Sequence, residues 1–371
     1  MAIKVDPERS RLNWHTSLLY SLNGAVYSSL LQIQHASHAD KLNSVIPAPP
    51  IFLLGFWRSG TTLLHELFGC DRRFGFPSTY ACLNPHHFLL TESWATERSS
   101  RRQARRPMDE MLYSWASPQE DEFALLALGA PSPYESLIVP SLMRDARALL
   151  DLRCGPVEKQ NRWEQALRYF LRLLTVQQGK TMVLKSPTHG FKLPLLPLLF
   201  PEARYVIIER NPYEVFASNL KLWLTLLELY SLESPSLEEV ESFILMAYII
   251  HEEAIAEGAS HLDPRVFVRV RYDHLVSDPV GQMERVYSEL GIAGFEQVQP
   301  RLADYAISVA GHRRNRLVIS AVQKTRIDAM WGTLIKEKSY TFPANHVALG
   351  DKLTFEQPKY ASARSFVLAQ S

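Results

Sequence analysis

The sequence predicts a three-layer α/β fold of the P-loop type, a central parallel sheet flanked by helices, with a further helical region inserted into it. Three observations carry that expectation. Strand-like runs at Ile51–Leu54, Thr181–Leu184, Arg204–Glu209 and Val266–Arg271 are separated by helical stretches, the alternation produced by a parallel sheet covered on both faces. The first run leads straight into Gly55-Phe56-Trp57-Arg58-Ser59-Gly60-Thr61-Thr62 and an amphipathic run from Leu63 to Phe68, so strand, glycine loop and helix N-terminus follow one another. The third run is followed by Arg210-Asn211-Pro212, where Asn211 suits an N-cap and Pro212 the first helical position.

The elements can be justified in chain order. Ser17 to Ile33 carries no charge and places Leu18, Leu19, Leu22, Val26, Leu30 and Ile33 at helical spacing. Polar interruptions make it too polar to span a bilayer, and it lacks the basic leader and cleavage site of an export signal. It is expected to be a helix packed on the domain, with a helix lying on a membrane surface or beside a greasy substrate as the sharper alternative. The loop Gly55–Thr62 has P-loop spacing, yet Thr61 stands where a nucleoside triphosphatase needs lysine. Its backbone N–H groups can still cradle an anion at a helix N-terminus, but the usual equipment for cleaving a γ-phosphate is gone, so ATP is not the expected substrate. Further helices are expected at Glu158–Gln178, Pro212–Glu228, Leu237–Glu257 and Pro279–Leu290, the last followed by Gly291 as a C-cap glycine. The run Arg101–Arg106 holds four arginines and is expected to be a solvated face.

Composition narrows the class. A chain of 371 residues can bury a large core, and one large domain is expected rather than two. Forty basic against 39 acidic residues give a formal net charge of +1, so charge offers no case for nucleic acid. Three cysteines, Cys70, Cys82 and Cys154, have no metal-like spacing and suit a reduced cytoplasmic protein.

Two segments together resemble the sulfotransferases that use 3′-phosphoadenosine 5′-phosphosulfate (PAPS). That family has a [KR]SGTT loop for the 5′-phosphosulfate, and an arginine followed eight residues later by a serine for the 3′-phosphate; here Arg58-Ser59-Gly60-Thr61-Thr62 and Arg210 with Ser218 match in the same order. The interval between them, roughly 150 residues, exceeds that of the compact steroid and phenol enzymes and implies an inserted helical region on the acceptor side. The resemblance implies a sulfotransferase domain over residues 46–345, preceded by an N-terminal helical segment (1–45) and followed by a C-terminal tail (346–371). It further implies PAPS as co-substrate without a metal, Tyr272 near the adenine, and a basic loop at Gly311–Arg316, with Arg313 and Arg314, closing over the 3′-phosphate.

Sulfuryl transfer needs positive groups around the oxygen that leaves and a base for the attacking hydroxyl. Arg58 and Lys185 are the cationic candidates. For the base, family resemblance points to the stretch Lys185-Ser186-Pro187-Thr188-His189, with His189 as the catalytic residue. Its spacing departs from the compact members, which leaves a carboxylate among Glu120, Asp121 and Glu122 as rival. Glu209 is the candidate metal ligand for a kinase alternative. His65 is expected to pack on its helix, and His86 and His87 to line an acceptor pocket. The region Phe74–Leu150 is rich in aromatic residues, which favours a bulky, partly apolar acceptor such as a lipid or aromatic alcohol over a sugar hydroxyl.

Overall fold

The computed structural model describes residues 14–99, 104–105, 112–309, 318–343 and 348–349. Five parallel strands form its central sheet: β1 (Ile51–Leu54), β2 (Phe74–Gly75), β3 (Thr181–Lys185), β4 (Arg204–Glu209) and β5 (Phe267–Arg271), in the order β2-β3-β1-β4-β5. From β1 the chain passes to the edge strand β2 and returns to β3 beside β1, then crosses over to β4 and β5 on the other side. The carboxyl end of β1 is therefore the switch point where a doubly wound sheet opens a crevice. The register sets Lys185 opposite Leu53, two residues before the glycine loop begins.

Every residue of β1 is buried because both faces of the sheet are covered. Phe52 and Leu54 share one face with Tyr205 and Ile207, against Leu167, Phe170, Leu171 and Leu174. Ile51 and Leu53 share the other with Val206, Ile208, Val268 and Val270, against Leu64, Leu67 and Phe68. These contacts come from α2 (Thr61–Gly69) below and α4 (Val157–Gln178) above, with α3 (Glu122–Ala127) packed on α4. The helix α4 stops where Gly179 turns left-handed, φ 62°, and its N–H bonds the Thr175 carbonyl. A third cluster, beyond the carboxyl end of the sheet, gathers Trp223 of α5 (Pro212–Tyr230), Phe243 and Tyr248 of α6 (Leu237–Ser260) and Trp331 of the helix Ala321–Glu337 around Phe56 and Trp57 of the loop.

The expected elements are present with small shifts. The strand expected to end at Leu184 runs on to Lys185, while residues 264–266 form a 3-10 turn capped by Asp263, so β5 starts at Phe267. The helix Pro279–Glu289 is followed by Gly291 at φ 62°, as the C-cap expectation required. Two-residue β2 gave no sequence signal. The N-terminal helix α1 runs from Trp14 to Ser44. It is docked on the domain by Gln34, whose amide donates to the Pro85 carbonyl (3.1 Å) and accepts from the Leu89 N–H (3.0 Å), and by Tyr27 stacked on His87. Val26 and Ile33 of the same helix are exposed. No helix among the described residues is long and apolar enough to cross a membrane.

Candidate active site

Backbone conformation shapes the loop first. Gly60 has φ 108°, and a Cβ there would lie 2.4 Å from Cδ2 of Tyr272, so only glycine lets the loop pass under that ring. As the N-cap of α2 it supplies no side-chain cap, which leaves the first N–H groups of the helix to serve an anion. Arg58 is also left-handed, φ 66°, a conformation that costs an ordinary side chain about 1 kcal/mol. Ser59 is buried, and its Oγ has no hydrogen-bond partner among the described residues. A glycine passage that a Cβ would fill and an orphaned hydroxyl beside a helix N-terminus together fit a phosphate-bearing ligand. Thr61 and Thr62 open α2 itself.

The second anion-binding candidate folds onto the first. Asn211 caps α5 by accepting from the Tyr213 N–H, which fixes Arg210 at the end of β4. Arg210 then donates from Nη1 to the Arg58 carbonyl (3.3 Å) and from Nε to Glu214 (2.7 Å), with its guanidinium 4.3 Å above the Tyr272 ring. Ser218, two turns into α5, accepts from Arg58 Nε at 3.0 Å. Arg58, Gly60, Arg210, Ser218 and Tyr272 thus meet although they span more than 200 residues of the chain. Arg313, Arg314 and most of the Arg101–Arg106 run lie outside the described residues.

The three consecutive acids each take a partner from the segment after β3. Glu120 meets Lys185 (3.1 Å), Asp121 meets His189 (2.8 Å), and Glu122 meets Lys192 (2.8 Å) and the Thr188 hydroxyl (2.6 Å). The partners stand at i, i+4 and i+7, along β3's last residue and the 3-10 turn Pro187–Lys192. This ladder sets how far each candidate base is exposed. His189 has no solvent exposure, lies edge-on to Phe52, and gives Nε2 to Asp121. Burial opposes ionisation of Asp121, but the His189 charge and hydrogen bond outweigh it and hold the carboxyl below the usual aspartate range. A base must reach the proton it removes, and His189, the residue expected to be catalytic, is enclosed here as the partner of Asp121. Glu122 is equally enclosed. Of the three acids only Glu120 keeps part of its side chain (15%) exposed, beside a nearly buried Lys185.

The other histidines singled out in the sequence, His65, His86 and His87, are engaged in packing. Burial, reinforced by the Lys185 charge, pushes His65 down to about 3, which makes it a neutral packing residue against Phe76. Burial also lowers His86 and His87, and both stack beneath Tyr27 of α1. Glu209 is held by Arg269 (2.6 Å) and Lys338 (2.7 Å). Two neighbours of the site gave no functional signal in the sequence: Tyr134 donates to Glu120 Oε2 (2.6 Å), and Trp57 Nε1 donates to Tyr134 (3.2 Å). Only the place of Trp57 inside the loop motif could have drawn attention to it.

A doubly wound parallel sheet with an anion loop at its switch point, a second cationic site folded onto that loop, and a lysine paired with a carboxylate at the next strand end define a group-transfer enzyme of the P-loop class. The chain belongs to the sulfotransferase family, which it matches over residues 49–297. It is 35% identical over 328 residues to the omega-hydroxy-beta-dihydromenaquinone-9 sulfotransferase Stf3 of Mycobacterium bovis, covering 88% of this chain and 84% of the relative, and matches the Mycobacterium tuberculosis protein of the same name equally well. Among solved structures it resembles sulfotransferase STF9 from Mycobacterium avium (TM-score 0.64, 18% identity, 84% of this chain and 82% of that one). It also resembles STF1 from Mycobacterium tuberculosis (TM-score 0.62, 20% identity, 89% and 88%). At such identities these two structures speak for the shared fold alone.

Proposed function

We propose that this sulfotransferase moves a sulfuryl group from PAPS to the hydroxyl of a bulky, largely apolar lipid alcohol. The observation that carries the co-substrate is the meeting of Arg58, Arg210 and Ser218 around the glycine loop. Two phosphate-reading positions joined through Arg58 suit a ligand phosphorylated at both ends of its ribose. Ser59, Gly60, Thr61 and Thr62 would hold the 5′-phosphosulfate, and Arg210 with Ser218 the 3′-phosphate, while Tyr272 would flank the adenine. Arg313 and Arg314 remain candidates for closing the 3′-phosphate site.

In the chemical step the acceptor oxygen bonds to sulfur as the bond from sulfur to the 5′-phosphate oxygen breaks. Glu120 takes the hydroxyl proton. Arg58 and Lys185 stabilise the charge that develops on the departing phosphate. A kinase reading is disfavoured, because the carboxylate it would need for magnesium, Glu209, is already neutralised by two cations. The lipid acceptor rests on the curated relatives, whose acceptor is a hydroxylated menaquinone derivative by name, together with the aromatic pairs Phe123–Tyr134 and Tyr80–Trp115 in the inserted region. Exposed Val26 and Ile33 on α1 fit a peripheral contact with the membrane that holds such a lipid, on the cytoplasmic side.

Calorimetry tests the co-substrate. Metal-free binding of 3′-phosphoadenosine 5′-phosphate should be much tighter than that of AMP, and Arg210→Ala should weaken it about 100-fold, the loss of one charge-assisted phosphate contact worth about 3 kcal/mol. AMP binding should barely change. Equal loss for both ligands, or a preference for ATP with magnesium, would overturn the assignment. For the acceptor, radiolabelled sulfate from PAPS should appear on geranylgeraniol in detergent micelles and not on glucose or N-acetylglucosamine; transfer to the sugars alone would refute a lipid acceptor.

A further inference from the structure

Tyr134 sits between the glycine loop and Glu120. Its ring stacks on Phe123 at 5.2 Å. Its hydroxyl accepts from the indole N–H of Trp57 at 3.2 Å and donates to Glu120 Oε2 at 2.6 Å, while Lys185 donates to Oε1 at 3.1 Å. The direction of this chain is fixed by chemistry. An indole nitrogen can only donate, and a carboxylate can only accept, so the single phenolic proton points at Glu120. Burial first, and then the Glu120 charge, raise the Tyr134 pKa well above that of a free tyrosine, so the phenol keeps this proton. Trp57 in turn is part of the loop: Asn219 Nδ2 donates to its carbonyl at 2.7 Å, and Trp223 packs edge-on against its ring at 5.4 Å.

Packing alone does not ask for these polar atoms. At position 134 phenylalanine would fill the same wall without a buried group to satisfy. The phenolic oxygen of Tyr134 and the indole nitrogen of Trp57 are the two polar atoms that join the loop to the carboxylate. We propose that Tyr134 is a positioning residue that fixes the orientation and charge of the Glu120 carboxylate, and that Trp57 ties this orientation to the phosphate loop. Tyr134 neither gains nor loses a proton in the cycle; it acts through Glu120. The proposal rests on Glu120 being the base.

The test is a set of variants assayed with PAPS and geranylgeraniol. Tyr134→Phe removes one oxygen atom. It should lower kcat about tenfold, leave the KM for PAPS and the calorimetric affinity for 3′-phosphoadenosine 5′-phosphate within twofold, and move the acidic limb of the kcat profile to higher pH, because the carboxylate has lost a donor that favours its anion. Trp57→Phe should act in the same direction by a few-fold, and the double variant should be no slower than Tyr134→Phe. In a Glu120→Gln background Tyr134→Phe should have no further effect, since the residue it acts through is already disabled. A tenfold loss that persists in that background, or one accompanied by no movement of the acidic limb, would overturn the proposal while leaving Glu120 as base. Wild-type turnover by Glu120→Gln would instead overturn the base assignment and the proposal with it. If Tyr134→Phe does not fold, the Trp57→Phe pH profile decides alone.

Discussion

Removing the Glu122 carboxylate should cost far more than removing it together with its partner. Lys192 is 1% exposed, donates to both Glu122 oxygens (2.8 and 3.1 Å), and lies 5.0 Å over the ring of Trp163. Glu122→Ala leaves that ammonium in the interior without its hydrogen-bonded carboxylate, beside the Trp163 ring and the more distant Asp121 charge. Breaking a buried pair from one side costs about 3 to 5 kcal/mol, whereas replacing both members with apolar residues of similar volume is often neutral. Thr188 keeps a partner in either case, because its hydroxyl also bonds Ser186 Oγ at 2.9 Å. Urea titrations followed by tryptophan fluorescence should therefore show Glu122→Ala losing about 4 kcal/mol, and Glu122→Leu/Lys192→Met recovering to within about 1 to 2 kcal/mol of the wild type. The recovered protein should transfer sulfate within a few-fold of the wild-type rate, since Glu120 and Lys185 are untouched. A double variant as unstable as the sum of the two single losses would refute the reasoning, because the pair would then be stabilising in its own right.

Two further predictions concern the loop and the response to acid. Gly60→Ala combines a left-handed backbone with a collision against Tyr272, whereas Gly129→Ala has φ +84° but nothing within 4 Å of the new Cβ. Both should lose about 1 kcal/mol to backbone strain, yet calorimetric binding of 3′-phosphoadenosine 5′-phosphate should disappear only in Gly60→Ala; equal binding in the two variants would show that the passage under Tyr272 does not shape the site. Burial raises the pKa of Glu252, but the His251 hydrogen bond and the Lys338 charge outweigh it and bring the carboxyl from 4.5 to about 2. A depressed folded-state value gives stability that is full above pH 4.5 and is lost as the pH falls toward 2, roughly 3 kcal/mol for this one group. Glu252→Gln should be less stable at neutral pH and lose less between pH 4.5 and 2 in urea titrations, and an unchanged slope over that window would contradict the assignment.

The parts legible in the sequence were those with local signals. Glycine spacing after an apolar run, Asn211-Pro212 after a strand, and a glycine after the helix Pro279–Glu289 each specify a conformation from a few neighbouring residues. Arg210 and Ser218 were legible for the same reason, being eight positions apart on one strand end and helix. The ladder was not. Glu120, Asp121 and Glu122 stand together in sequence, but their partners lie 65, 68 and 70 residues away, and no local pattern says which acid meets which cation. For that reason the base stays open in the sequence: His189 and Glu120 look equally eligible there, and only the fold shows His189 fully buried and Glu120 partly exposed. Strand β2, two residues long, is held by pairing with β3 at Thr181 and Met182 and has no periodicity of its own to read. Tyr134 was one aromatic among many in the inserted region; only the approach of Trp57 distinguishes it.

The left-handed arginine in the loop has a consequence for anyone redesigning this enzyme. At φ 66° the backbone of residue 58 favours glycine, so a procedure that ranks substitutions by thermal robustness would select Arg58→Gly early and report success. The molecule it delivered would relieve a left-handed backbone and lack the guanidinium that reaches Ser218. Robustness and turnover pull in opposite directions at this one position, and a library meant to harden the scaffold should hold residue 58 constant before any other is allowed to vary.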